Sequence, residues 1–249
     1  MAFVKAIPAR APHRRGMAFL ELWKALRDGL ADARGMLSRR WPLYLAICIV
    51  CGVADFIISR VTPLSNSFVG YAVGATAIGF YVLFDTLRLQ EPAFTYSFTY
   101  LARCVAAVAL VLLMWVALWL LLTNLTTWMF PKTLWHVVWS IALLIVGVPL
   151  GRFMFVYYLL AQDLRETNSF ARSWSLTGGR MLLPTLTLNL GLMLAWFAGG
   201  LPALLLPAGT QSTAYLIAAV ILSSIDYPIG LRWMQACSKN KTVPGSGDR

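Results

Sequence analysis

Asp226 is the residue in this chain best placed to do chemistry. It follows Arg180 after 45 uncharged residues, and an ionisable group inside a membrane either serves a function or pairs with an opposite charge. Pro228 lacks a backbone N–H and clashes with the carbonyl one turn back. The helix should therefore bend and free a carbonyl near Leu222, Ser223 and Ser224. A carboxylate beside a broken helix and two hydroxyls has the makings of a proton or cation site. The structural account is an ion pair with Arg152 or Arg232 that locks helices together.

Arginines supply the second kind of chemistry. Arg152 follows Gly147-Val148-Pro149-Leu150-Gly151, a kinked segment with glycines four apart. Asp85 and Arg88 stand about one helical turn apart, within reach of each other. The planar guanidinium fork suits phosphate, so convergence of Arg88, Arg103, Arg152 and Arg232 would make a site for an anionic lipid or a phosphorylated carrier headgroup. Membrane sidedness alone also places arginines at that depth.

Other reactive residues point to packing. Cys48 and Cys51 share a helix face among Ile47, Ile49 and Val50, apolar surroundings that do not favour thiolate chemistry. Zinc would need two further ligands, and Cys104 and Cys237 stand near the ends of other helices. His13 and His136 are far apart in sequence, and His136 between Trp135 and Trp139 suits an aromatic belt. There is no Gly-x-Ser-x-Gly, phosphate loop or His-Glu-x-x-His. No catalytic residue, metal or cofactor is expected.

The elements that position these residues follow from composition. Apolar residues make up 59% and charged ones 12% of 249, against roughly 45–50% and about 25% in soluble domains. That excludes a water-soluble globule. A crossing helix needs about 20 apolar residues for roughly 30 Å of hydrocarbon. Six spans are expected: Pro42 to Ile58, Phe68 to Leu87, Leu101 to Thr123, Leu134 to Leu160, Pro184 to Leu206 and Thr213 to Cys237. Long Leu, Ala and Val runs lack the alternation of barrel strands, so the fold class is all-α. With an inside N-terminus, 19 basic residues fall on the cytoplasmic side, and only Arg60 and Lys132 opposite. Both termini are therefore expected in the cytoplasm. The net charge of +11 reflects this sidedness and not a nucleic-acid surface.

Around the spans, residues 1–16 read as a flexible basic leader, with Met17 an alternative start, and 238–249 as a disordered cytoplasmic tail. Residues 17–40 read as an amphipathic helix: Phe19, Leu22, Trp23, Leu26, Leu30, Ala33 and Leu37 recur at steps of three and four. It either lies in the inner headgroup layer or packs on the bundle. The transmembrane domain is expected over 41–237.

The stretch Asn168-Ser169-Phe170-Ala171-Arg172-Ser173-Trp174-Ser175-Leu176-Thr177-Gly178-Gly179-Arg180 resembles the Ala-x-x-x-Ser-Trp-x-Leu-Thr-x-Gly segment of bacterial YciC-like proteins. It is also similar to the membrane domain accompanying some glycerophosphodiester phosphodiesterases. The resemblance implies a six-helix protein of the bacterial inner membrane and brings no catalytic residues. Read physically, the same stretch is a short surface helix and an elbow ended by Gly178-Gly179. The expected function is a non-catalytic one, binding lipid or a partner membrane protein, which could be a second copy. The alternative is a small transporter or lipid translocator using Asp226 and the inner arginines.

Overall fold

The computed structural model describes residues 13–61, 68–90, 98–129, 135–162, 168–206 and 208–241; among them there is helix and no strand. The helices are α1 (His13–Val61), α2 (Phe68–Gln90), α3 (Phe98–Met129), α4 (Trp135–Leu150), α5 (Val156–Gln162), α6 (Ser169–Leu176), α7 (Leu182–Leu204) and α8 (Ala208–Lys241). Among the described residues, four stretches are long and apolar enough to cross a bilayer: Met17–Ala54, Ile145–Gln162, Gly179–Gly199 and Ala214–Asn240.

The structure departs from the expected elements in three places. Residues 13–16 of the expected leader, residues 17–40 and the first span are not separate, because α1 runs unbroken from His13 through Pro42 for 49 residues. Its length of about 74 Å far exceeds roughly 30 Å of hydrocarbon, so much of it lies outside the apolar layer or at a steep tilt. Along the first half of α1, Ala18, Leu22, Ala25, Ala33 and Met36 are buried, and the helix packs along α8. A Cβ on Gly29 would stand 2.7 Å from the Ile229 Cα, so only glycine permits these two backbones to approach so closely. The helix is thus packed on the bundle, whatever depth it occupies. Secondly, the expected fourth span is broken, with a 3-10 turn at Gly151–Phe153 separating α4 from α5. Thirdly, α8 continues to Lys241 into the expected tail. The leader up to residue 12 and the tail from residue 242 fall outside the described residues.

Helices α2, α3, α4, α7 and α8 are neighbours in a closed circuit, and α1 lies against α8 and α2. One core joins Phe84, Leu87, Phe155, Leu159, Trp233 and their neighbours. A smaller one joins Tyr44, Cys48, Ile78, Val82 and Leu216 where α1, α2 and α8 meet. Outward faces stay apolar, with Leu45, Ile49 and Val53 exposed on α1, Leu113 and Leu121 on α3, and Leu190 and Leu194 on α7. So much exposed apolar surface is costly in water and suits lipid.

Candidate functional site

The break between α4 and α5 falls where the sequence runs Gly147-Val148-Pro149-Leu150-Gly151, and the turn is closed by Met154 N–H to the Gly151 carbonyl at 3.1 Å. A broken helix strands carbonyls that must find other donors where water is absent. Asn189, a lone amide within an apolar run of α7, donates to the Gly147 carbonyl at 2.9 Å and the Val148 carbonyl at 3.2 Å. It lies directly against Gly151, in space that a Cβ there would occupy. From α6, Ser173 donates to the Arg152 carbonyl at 2.8 Å, and the Thr177 hydroxyl stands 3.2 Å from it.

Arg152 returns the contact. Its guanidinium sits 3.3 Å from the Trp174 ring centroid and donates to the Trp174 carbonyl at 2.8 Å. Ser173 and Thr177 are fully buried. The stretch from Asn168 to Arg180 is therefore the clamp on this break. Gly179, at φ +59°, turns the chain from the clamp into α7. Sequence reasoning placed the kink and the elbow but missed Asn189, whose signal was an amide isolated among leucines.

Asp226 lies where α8 meets α7. It is half-buried, and the Trp196 indole N–H donates to its Oδ2 at 3.3 Å. Among the described residues no cation pairs with it. The expected partners are engaged elsewhere: Arg152 on Trp174, and Arg232 with Asp32 of α1 at 2.7 Å. Pro228 does not end α8. The nearby carbonyl that gains an outside donor is that of Tyr227, which accepts from the Tyr158 hydroxyl at 2.9 Å. That hydroxyl abuts Gly230, where a Cβ would overlap it. Tyr157 stands edge-on to Tyr227 at 5.7 Å. The Ser224 hydroxyl, wholly buried, has no hydrogen-bond partner among the described residues.

The remaining sequence candidates fall at separate junctions. Buried Asp85 accepts from the Tyr44 hydroxyl at 3.2 Å and lies 3.5 Å from the Arg40 guanidinium, both on α1. Arg88 is exposed near the end of α2. Arg103 of α3 donates to the Gln162 carbonyl at the end of α5 at 3.0 Å. Arg103, Arg152 and Arg232 thus serve three different junctions instead of one pocket. All four cysteines are free thiols, and no group of three metal-ligating side chains occurs among the described residues. The side chains of His13 and His136 fall outside those residues.

In comparisons with family models, with curated proteins and with solved structures, nothing matches this chain.

Proposed function

We propose that the chain is a six-span protein of the bacterial inner membrane, with both termini in the cytoplasm, that works by binding a lipid or a partner membrane protein and not by catalysis. The observation that carries the reading is how the charged groups are used. Asp32 with Arg232, Asp85 with Arg40, Arg103 with Gln162 and Arg152 with Trp174 each tie one helix to another. Such ties suit a rigid scaffold better than a reaction centre. Six crossings with both ends inside are supported by the 19-to-2 distribution of basic residues. The bacterial inner membrane is supported by the YciC-like stretch.

Gentle extraction followed by mass spectrometry of retained lipids and proteins tests the function. One lipid class enriched over the surrounding membrane, or one protein at fixed stoichiometry, is the expected result. Retention of neither by a folded preparation refutes the reading.

A second reading, transport, is favoured by one observation: Asp226 has a single indole donor and no cation among the described residues. Flux in liposomes that is abolished by Asp226→Asn, with unchanged folding, would establish it.

A further inference from the structure

The exposed side of α1 is one continuous face that changes character along its length. Leu20, Trp23, Arg27, Leu30 and Arg34 recur at steps of three and four, and Lys24 borders them; all are exposed. Trp23 is 69% and Leu20 68% accessible, large apolar side chains left open among cations. Continued by the same steps, the face carries Trp41, Leu45 and Ile49, where it becomes wholly apolar.

Two of the three acids in this segment are turned away from the face. Asp32 pairs with Arg232, and Glu21 accepts from the side-chain amide of Asn240, both on α8. Asp28 borders the face, where it pairs with Arg27 and also lies close enough to Arg232 of α8 to interact with it, leaving the cations of the face in excess. Lys24 and Arg34 have no ion pair or hydrogen bond among the described residues. Net positive charge is thus displayed outward with an exposed indole in its midst. That combination binds the headgroup layer of an anionic bilayer, where indoles sit at the interface and cations meet phosphate. One face leading without a break from lipid-facing Leu45 and Ile49 to these cations favours the same bilayer as the occupant.

We propose that the outward face of α1 from Leu20 to Arg34 is a docking surface for anionic phospholipid headgroups of the protein's own membrane. This rests on the lipid-binding reading above and names the lipid class. It also moves the contact away from the inner arginines, which are occupied by helix junctions.

The test uses the full chain in nanodiscs of phosphatidylcholine mixed with phosphatidylglycerol, with the lipids retained after partial extraction counted by mass spectrometry. Phosphatidylglycerol should be enriched around the unmodified chain, and the enrichment should fall as salt is raised. Each of Lys24→Gln, Arg27→Gln and Arg34→Gln should lower it up to roughly fivefold. Arg39→Gln, an exposed cation on another face of α1, should change it little.

Enrichment that is indifferent to salt, or equal in the triple variant, overturns the proposal. So does a second copy covering this face, seen as a dimer that the triple variant breaks while its lipid ratio stays constant. The salt series uses the unmodified chain and does not depend on a variant folding. If phosphatidylglycerol is not enriched but a neutral lipid or a protein is retained, this inference fails and the broader reading stands. Only retention of no lipid class and no protein removes both.

Discussion

Tyr158 and Gly230 form a pair whose energetics can be stated with a sign. The Tyr158 hydroxyl donates to the Tyr227 carbonyl at 2.9 Å and occupies the space over Gly230. Tyr158→Phe loses one hydrogen bond, about 1 kcal/mol. Gly230→Ala forces a methyl group onto a hydroxyl held in a packed core, where overpacking costs about 2 kcal/mol. Replacing a helical glycine by alanine returns about 1 kcal/mol, so this variant alone is about 1 kcal/mol less stable.

Together the two substitutions are not additive. Without the hydroxyl, the nearest remaining ring atoms lie 3.1 and 3.3 Å from the new Cβ, a gap that small adjustments accommodate. The double variant should fall within about 0.5 kcal/mol of the unmodified chain, where additivity gives about 2 kcal/mol of loss. Reversible unfolding in mixed micelles, followed by helical circular dichroism, measures all four corners of the cycle. A double variant as unstable as the two singles combined would refute the contact, and with it the approach of α5 to α8 beside Asp226.

Three further outcomes follow from the same contacts. Asp226→Asn should leave stability within about 1 kcal/mol in the same unfolding assay, because no cation among the described residues loses its partner; a loss above about 3 kcal/mol would reveal a buried pair. Arg152→Lys keeps the charge but loses the planar stack on Trp174 and the fork to its carbonyl, so about 1 kcal/mol should go; altered Trp174 emission in an otherwise Trp-reduced chain checks it. Arg232→Asp should destabilise by placing two acids together, and adding Asp32→Arg should recover most of the loss, seen as recovery of the melting temperature; no recovery argues against the pairing of α1 with α8.

Composition and local chemistry were enough for the class of protein and for most helix positions. Apolar runs that a soluble core could not absorb become helices in which the backbone satisfies itself. α2 begins at Phe68 as its pattern requires, and the helix breaks at Gly151–Phe153, directly after the Gly147-Val148-Pro149-Leu150-Gly151 stretch that reads as kinked. Residues 168–180 were legible as a short helix and an elbow for the same local reason.

Partnerships were not legible. Asp32 and Arg232 stand 200 residues apart in sequence, Asp85 is met by Tyr44 and Arg40 of another helix, and the elbow's hydroxyls reach back to Arg152. Such pairs depend on the rotation and offset of packed helices. Close backbone approaches such as Gly29 against Ile229 set these, and a one-dimensional pattern does not encode them. Asp226 shows the division: its carboxylate in an apolar span is a property of the sequence, whereas its meeting an indole instead of an arginine was decided by how α7 and α8 face each other.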